Sequence, residues 1–316
     1  MRRILSIDGG GIKGVFPAAF LAEVEDMLED GDDVTRYFDL IAGTSTGGIL
    51  AIGLGLGIRP KEMLQLYLEK GPEIFGGSTV VGSVWSLVRP RYKTKPLREA
   101  LSAKIGGRKL GESRVRLVVP STNLESGSVY IWKTAHHERF ERDYNKEAID
   151  AALATAAAPL YFPTYKTSNG EPLADGGLFA NNPVGLAVVE AVGVLGWRAD
   201  DIDVLSLGCT EELIDVGSVR HRPAGIIDWV WGLRAVNLML AAQSSASLGT
   251  AAVLVGHDRV LRVSPSVPSG RYRLDSTRGL DTLQGQGVTA AKHAIPQLRR
   301  RFLTHPVEPF VPYRQV

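Results

Sequence analysis

The sequence predicts an α/β domain with a mostly parallel sheet, because short apolar strand patterns alternate with helical patterns along most of the chain. One apolar run, Arg3–Ile7, leads into a glycine-rich loop, and a second run, Phe38–Ala42, leads into another. Helical periodicity follows each loop at once, which is typical of the strand–loop–helix units of parallel sheets. No composition shift marks a linker. We therefore expect a single domain, with a core over residues 1–210 and a helical extension over residues 211–316 packed on it.

Proline and glycine set most of the predicted element ends. Pro17 is tolerated in the first turn of a helix from Val15 to Leu28. Pro60 begins a helix that Gly71 and Pro72 are expected to end near Glu69. The remaining predicted helices cover Thr46–Leu56, Lys95–Ile105, Glu147–Ala157, Pro183–Val192, residues 225–253 and Gly287–Leu303, and the remaining predicted strands cover Arg114–Val119, Ser128–Lys133, Asp203–Leu207 and Asp258–Val263.

Composition and charge narrow the class of protein. The 316 residues are 44% hydrophobic and 22% charged, as in ordinary globular domains, and the formal net charge is only +2. No global field attracts nucleic acid, so we predict neither DNA nor RNA as a partner. Cys209 is the only cysteine, which excludes an intrachain disulfide. We expect a cytoplasmic protein, because Asp8 follows too soon for a signal peptide and no run of about 18 apolar residues predicts a transmembrane helix.

The stretch Gly43-Thr44-Ser45-Thr46-Gly47 is the strongest chemical signal. A serine between a strand and a helix, with glycine two residues before and after it, has the pattern of a nucleophile elbow. Such a turn exposes the hydroxyl and leaves N–H groups free at a helix N-terminus, where developing negative charge is stabilised. The alternative is an ordinary glycine-rich turn between two elements, without a catalytic role. The strand–turn–helix context favours an activated Ser45.

The glycine loop Asp8–Gly14 admits two interpretations. Gly9, Gly11 and Gly14 fit the Gly-x-Gly-x-x-Gly fingerprint of dinucleotide-binding proteins. That fingerprint also requires an acidic residue at the end of the next strand, which ends instead in Ala42 and runs into the serine elbow. The loop therefore favours an oxyanion hole, in which the backbone N–H groups of Gly10 and Gly11 face the tetrahedral oxygen.

A third motif supplies a carboxylate. Asp175-Gly176-Gly177 lies 130 residues after the serine and is followed by Asn181-Asn182-Pro183 and a helix. Alone, Asp-Gly-Gly is an ordinary turn. Beside a serine elbow and a glycine loop, Asp175 becomes a candidate general base for the serine hydroxyl.

No histidine stands out as a third catalytic group. His257, between Gly256 and Asp258, is the best placed of those that follow Asp175, as the serine–acid–histidine order of α/β-hydrolases would require. His136 and His137 precede a charged stretch and are predicted to lie in a solvated turn. No His, Cys and carboxylate spacing predicts a metal site, so we expect none for the chemistry.

Taken together, these motifs resemble those of the patatin-like phospholipases. The resemblance covers about residues 1–210, and one departure is Lys13, where the family usually has arginine. The matching segments are Asp8–Gly14, Gly43–Gly48, Ala157–Pro159 with Tyr161–Pro163, Asp175–Gly177 with Asn181–Pro183, and the predicted strand pair within Val118–Lys133.

The resemblance implies a three-layer fold and a lipid acyl hydrolase that uses a Ser–Asp dyad without histidine. Ser45 would attack the ester, Asp175 would act as base, and Gly10 and Gly11 would hold the oxyanion. The compact build resembles bacterial antiphage effectors that a cyclic dinucleotide activates and that degrade the cell's own phospholipid. It further implies no cofactor for the chemistry, action at the inner membrane and assembly into a homo-oligomer on activation. The motif glycines and the lysine would support the site: Gly9, Lys13, Gly14, Gly43, Gly47, Gly176 and Gly177.

Residues 79–98 are the predicted contact with an anionic surface. Apolar residues around Trp85 precede the basic residues Arg89, Arg91 and Lys93, and no acidic residue occurs between Glu73 and Glu99. Such a stretch suits an anionic bilayer or the phosphates of a dinucleotide. The alternative is an ordinary surface connection. Two rival functions also stay open at this stage, a nucleotide-dependent enzyme built on the glycine loop and a non-catalytic lipid-binding module.

Overall fold

Strands and helices alternate through the first two thirds of the chain, as the patterns predict. The structure is a computed structural model that describes residues 1–28, 31–76, 90–212, 234–268 and 270–316. The strands are β1 Arg2–Ile7, β2 Leu40–Gly43, β3 Arg116–Asn123, β4 Val129–Lys133, β5 Tyr165–Lys166, β6 Pro172–Asp175, β7 Ile202–Leu207, β8 Glu211–Glu212, β9 Val260–Val263 and β10 Ser266–Val267. The helices are α1 Val15–Asp26, α2 Thr46–Gly55, α3 Pro60–Gly76, α4 Thr94–Ile105, α5 Ala148–Thr155, α6 Gly177–Ala180, α7 Val184–Gly193, α8 Arg234–Val255 and α9 Leu280–Arg301.

A mixed sheet forms the central layer, with the strand order β5-β6-β3-β2-β1-β7-β9. Strands β3, β2, β1, β7 and β9 are parallel to one another, whereas β4 and β6 run antiparallel to β3. The short pair β8–β10 lies outside this sheet. The carboxyl ends of β1 and β2 therefore meet at one edge of the sheet, where the glycine loop and the serine elbow begin.

Alternate residues of the parallel strands face two different helical layers. Leu5, Ile41 and Leu117 pack in the larger core with residues of α1 to α5 and α9. Their neighbours Ile4 and Leu40 pack in a smaller core with α7 and the end of α8. This period of two, with both faces buried, is what a parallel sheet between helical layers requires. The predicted three-layer architecture is confirmed.

Strand β3 aligns the two halves of the site. Ala42 of β2 lies opposite Val118, and Asp175 of β6 lies opposite Ser121 on the same edge of β3, three residues further along. Strand β4 occupies the other edge, since Val118 and Ser121 also pair with β4. Thus β6 enters the sheet where β2 leaves it, and its last residue reaches the serine elbow.

Several predicted element ends differ from the structure. Helix α3 continues through Pro72 to Gly76, because Ile74 is buried and Phe75 packs edge-on against Tyr92 and Phe162. Helix α9 begins at Leu280 after Gly279, not at Gly287, whose missing side chain lets α9 approach the Phe16 carbonyl of α1. The predicted helix over residues 225–253 is observed as α8, and residues 225–233 lie outside the described part of the chain.

Helix α8 also bears on the prediction that no segment has the length of a membrane span. Within the described residues, Ala235–Val255 is long and apolar enough for that role, and only 17% of its most apolar stretch is buried. Asn, Gln and Ser residues interrupt its sequence, so it contains no unbroken apolar run that would predict a membrane span. One such helix is weak evidence for a span.

The extension predicted over residues 211–316 contributes to the sheet as well as to the helical layers. Strand β9 pairs with β7, and α9 packs along α1. The chain end then runs across the amino ends of β1 to β3, where Arg3 donates to the His305 carbonyl and the guanidinium of Arg116 lies 4.9 Å from the ring centre of Phe310. The boundary near residue 210 stays a prediction.

Candidate active site

Ser45 occupies a strained turn between β2 and α2. Its φ of 54° lies in the left-handed region, which L-residues other than glycine seldom adopt. A Cβ on Gly43 would stand 2.1 Å from the Gly47 carbonyl oxygen, so the turn closes only without a side chain there. The amide of Ser45 donates to Thr155 Oγ1 at 3.0 Å, and Thr155 Oγ1 in turn donates to the Pro120 carbonyl at 2.6 Å. These two bonds hold the strained turn against α5 and β3.

The serine hydroxyl donates a short hydrogen bond to Asp175. Ser45 Oγ lies 2.6 Å from Asp175 Oδ2, and the Gly177 amide donates to Asp175 Oδ1, also at 2.6 Å. Both side chains are buried, with residue exposures of 9% for Ser45 and 5% for Asp175. Each carboxylate oxygen therefore has one donor, and the oxygen bonded to Ser45 is the one that can receive its proton.

Burial sets the basicity of Asp175. Loss of hydration disfavours the charged form and raises the pKa of Asp175 from 3.8 to about 6, while the hydrogen bonds from Ser45 and Gly177 oppose the rise. Asp175 forms no salt bridge within the described part of the chain. A carboxylate with this pKa is still ionised at neutral pH and is a much stronger base than an ordinary aspartate.

The glycine loop lies directly over the elbow. A Cβ on Gly9 would stand 3.2 Å from the Cβ of Ser45, and the Gly9 amide donates to the Asn181 carbonyl at 2.8 Å. Among the described residues, the amides of Gly10 and Gly11 have no acceptor. These two N–H groups are therefore available to bind a developing oxyanion, and their assignment to an oxyanion hole stays a prediction.

Two later segments hold this loop in place. Asp8 is bound by both terminal nitrogens of Arg262 on β9, at 3.0 and 2.7 Å. The Leu274 carbonyl accepts from the Ile12 amide at 3.0 Å. It also lies 2.3 Å from where a Cβ of Gly11 would stand, and Gly11 has a φ of 58°. Only glycine combines this backbone angle with so close an approach.

The other motif residues are structural contacts in the described part of the chain. Lys13 donates to Thr210 Oγ1 at 2.7 Å and pairs with Glu212 at 3.3 Å, so it ties the glycine loop to the segment after β7. The glycines of the motifs each allow a close approach to neighbouring atoms: Gly14 to Thr46, Gly47 to the Ile7 carbonyl, Gly176 to the Pro120 carbonyl and Gly177 to Asp175.

The predicted contact around residues 79–98 is described only in part and stays a prediction. Trp85 and Arg89 lie outside the described residues. Arg91 pairs with Asp275, and its guanidinium lies 5.6 Å from the ring centre of Tyr161. Lys93 is exposed just before α4. The basic residues that can be placed are thus divided between an internal ion pair and solvent.

No histidine lies at the dyad. His257 begins a short 3₁₀ helix before β9, at the amino end of the parallel strands, whereas the dyad lies at their carboxyl ends. His136 is buried and bonds to Glu190 at 3.0 Å, so the predicted solvated turn is wrong for this residue. Burial lowers the pKa of His136, although Glu190 opposes this. Among the described residues, no group of three His, Cys, Asp or Glu side chains could hold a metal ion.

Sequence reasoning missed the residues that hold the site together. Thr155, Arg262 and Leu274 lie in an alanine-rich helix, a short strand and a connecting segment, and none belongs to a motif. Only the Asn181-Asn182 pair gave a signal, since it follows the dyad carboxylate in the sequence. Contacts made across 100 or more residues leave no local pattern.

Comparison with known proteins identifies the family. The model of the patatin-like phospholipase family matches residues 5–188, which is more than half of the chain. A cGAMP-activated phospholipase from Pseudomonas aeruginosa is 35% identical over 92% of this chain and 88% of its own length. A protein of the same description from Vibrio cholerae is 34% identical over 76% of this chain and 74% of its own length. Patatin-like protein 4 of Arabidopsis thaliana is 33% identical over 61% of this chain and 53% of its own length.

Among solved structures, VipD from Legionella pneumophila aligns over 94% of this chain and 67% of its own, with 11% identity and a TM-score of 0.49. The range that the family model matches includes the glycine loop, the serine elbow and Asp175. The chain therefore belongs to the patatin-like phospholipase family and is a lipid acyl hydrolase of the esterase type.

Proposed function

We propose that this protein hydrolyses ester bonds of membrane phospholipids with Ser45 as nucleophile and Asp175 as the only proton-transfer group. The observation that carries the proposal is the 2.6 Å hydrogen bond from the serine hydroxyl to a buried carboxylate. Nucleophile and base are already within the distance that proton transfer requires. The short bond also supports a dyad that needs no third group to orient the base, because the Gly177 amide holds the second oxygen of Asp175.

In the first half of the reaction, Ser45 Oγ attacks the ester carbonyl while its proton passes to Asp175 Oδ2. The carbonyl oxygen becomes an oxyanion, which the free amides of Gly10 and Gly11 stabilise. The carbon–oxygen bond to the lipid then breaks, and the departing alkoxide takes the proton from Asp175. The products of this half are a lysophospholipid and an acyl ester on Ser45.

In the second half, water replaces the lipid alcohol. Asp175, again ionised, removes a proton from a water molecule that attacks the acyl carbon, and the same two amides hold the second oxyanion. Ser45 leaves with the proton that Asp175 returns. The net reaction consumes one water and releases one fatty acid, and it uses no metal or cofactor.

We also propose that a cyclic dinucleotide activates the enzyme. Relatives from three bacteria, Pseudomonas aeruginosa, Escherichia coli and Vibrio cholerae, are described as cGAMP-activated phospholipases and are 34–37% identical to this chain. Such control suits an enzyme whose substrate is the membrane of its own cell. It supports a role in antiphage defence at the inner face of the membrane, with assembly into a homo-oligomer on activation.

Neither rival function gains support from the site. A nucleotide in the glycine loop also needs an acidic ribose partner at the end of the next strand, but β2 ends in the serine elbow. A non-catalytic lipid-binding module would not need a strained serine bonded to a carboxylate of raised pKa.

The test is release of fatty acid from phospholipid vesicles by the wild type, Ser45→Ala and Asp175→Ala, each with and without a panel of cyclic dinucleotides. Ser128→Ala and Asp200→Ala are matched controls, because both side chains are exposed. We expect only the dyad variants to lose release, and only one dinucleotide to raise it strongly. Full release by either dyad variant, or no labelling of folded wild type by a fluorophosphonate serine probe, contradicts the proposal.

A further inference from the structure

Helix α8 is apolar but lies on the surface. From Ala235 to Val255 it contains no Asp, Glu, Lys or Arg, and it contains no aromatic residue. At about 1.5 Å per residue it forms a strip roughly 30 Å long. Such a helix is normally buried in the core of a globular protein. Here most of its apolar stretch is exposed.

Two polar side chains of α8, Gln243 and Ser247, point inward and bond to the chain beneath the helix. Gln243 accepts from the Asn181 amide at 2.7 Å and donates to the Leu178 carbonyl at 3.2 Å. Ser247 accepts from the Gly185 amide at 2.9 Å and donates to the Asn182 carbonyl at 2.7 Å. These bonds fix α8 against α6 and α7.

The outward side of α8 is largely apolar, although Asn237, Ser245 and Thr250 are also exposed, and the Thr250 hydroxyl donates to the Ala246 carbonyl of the same helix at 2.9 Å. Met239 is 71% exposed and Val253 is 81% exposed, with Leu238 at 38%. The small residues Ala242, Ala246 and Gly249 lie between them and are also exposed. Three large side chains with open small positions between them give a continuous apolar strip, and contiguous exposed strips of this kind mark interaction sites.

The strip continues onto α6, beside the dyad. Leu178 is 53% exposed and Phe179 is 42% exposed, three and four residues after Asp175. The bond from Gln243 to the Leu178 carbonyl ties the two helices together at this point. We call α8 residues 235–255 with Leu178 and Phe179 the docking strip. Whatever binds it is brought next to the catalytic carboxylate.

We propose that the docking strip lies flat in a phospholipid bilayer, at the boundary between headgroups and acyl chains, and so presents the lipid ester to Ser45. This inference rests on the proposed phospholipase activity, because the strip adjoins the dyad and the substrate is itself the bilayer. The inward bonds of Gln243 and Ser247 favour a helix that lies on the membrane over one that spans it. Arginine anchors are also common where protein partners bind, and the docking strip contains neither arginine nor lysine.

The chemistry of the strip predicts an unusual dependence on lipid charge. Most interfacial helices combine an apolar face with lysine and arginine, so their binding falls with salt and rises with anionic lipid. Because the docking strip is uncharged, its binding should come from apolar burial alone. It should therefore persist at high salt and on zwitterionic vesicles, whereas docking through the basic residues between Arg89 and Arg98 would fail under both conditions.

The experiment is vesicle flotation in a Ser45→Ala background, which removes hydrolysis, with and without cGAMP. Zwitterionic phosphatidylcholine vesicles and anionic phosphatidylglycerol vesicles are compared at low and high salt. Met239→Asp and Val253→Asp should each lower the partition constant of the protein for vesicles by roughly tenfold or more. Met239→Gln has a helix propensity close to that of methionine and should weaken binding in the same direction. Val311→Asp is the matched control, because Val311 is 74% exposed on the C-terminal tail and is not part of the docking strip.

Three results overturn the proposal. One is binding by both aspartate variants equal to that of the control. The second is binding that salt abolishes, which assigns docking to basic residues. The third is a dimer that Met239→Asp dissociates while vesicle binding is unchanged, which assigns the strip to a second copy of the chain. Hydrolysis of a soluble short-chain ester by the same variants with an active Ser45 separates these cases from failure of the catalytic proposal, because that assay needs no bilayer.

Discussion

Replacing Asp175 by asparagine should remove activity and at the same time stabilise the fold. Burial raises the pKa of this carboxyl from 3.8 to about 6. Since one pKa unit corresponds to about 1.4 kcal/mol, the ionised carboxylate lowers the free energy of unfolding by about 3 kcal/mol relative to the neutral acid. Asparagine is neutral, has nearly the same shape and can still accept from the Gly177 amide. We therefore expect the variant to gain up to about 3 kcal/mol at pH 8.

The sign of the effect follows from which state binds the proton more tightly. The folded state has the higher pKa, so protonation of Asp175 stabilises the fold below about pH 4, and this contribution is lost as the pH rises to about 6. The advantage of asparagine should accordingly be largest at pH 8 and should vanish near pH 4. Urea unfolding of the two proteins at several pH values measures it directly.

Asp143→Asn is the control for this experiment. Asp143 is also buried, but it accepts hydrogen bonds from Tyr130 and Arg142, both at 2.9 Å. Loss of a paired carboxylate should destabilise the protein. An Asp175→Asn variant that is less stable than the wild type at pH 8 would show that the ionised carboxylate does not destabilise the fold. A variant that keeps its activity would show that Asp175 is not the base.

Three further predictions concern the same site. The wild-type kcat/KM for a soluble ester should rise about tenfold per pH unit below about pH 6 and then level off, because the base must be ionised; a flat profile from pH 5 to 8 contradicts this. Gly11→Ala should lower the free energy of unfolding by at least about 1–2 kcal/mol and remove most of the activity, because the φ of Gly11 is positive and the Leu274 carbonyl blocks a side chain. Thermal melts measure the change in stability. The control is Gly285→Ala, which should be neutral or stabilising because no atom lies near a Cβ at that position. Thr155→Val should lower kcat more than it changes KM and should destabilise the protein by about 1–3 kcal/mol, because the Ser45 amide loses its acceptor. An unchanged kcat in steady-state assays argues against a positioning role for Thr155.

Local patterns account for the first half of the site. About ten consecutive residues encode the strand before Ser45, the glycines around it and the start of the helix after it. Their arrangement can therefore be predicted without tertiary information. The glycine loop can be predicted for the same reason. The fold class follows from the alternation of such units, and the structure confirms it.

The second half of the site depends on tertiary pairing. Strand β6 is only four residues long and reaches the elbow because β3 extends to Asn123, although Pro120 gave reason to end that strand early. The docking strip was overlooked for a related reason. Sequence alone shows that α8 is apolar, but only the structure reveals that Gln243 and Ser247 bond to the protein while Met239 and Val253 face out.

The pairing of Asp8 with Arg262 has a consequence for the order in which the enzyme becomes active during synthesis. Ser45, both glycine motifs and Asp175 have all been translated by residue 177, yet the partner that fixes the start of the glycine loop comes 254 residues after Asp8. Until β9 joins β7, a nascent chain carries the nucleophile and the base but an unsupported oxyanion loop and an unpaired carboxylate. A ribosome-bound fragment that ends before β9 should be inert toward lipid, so activity should appear only after residue 263 has been translated.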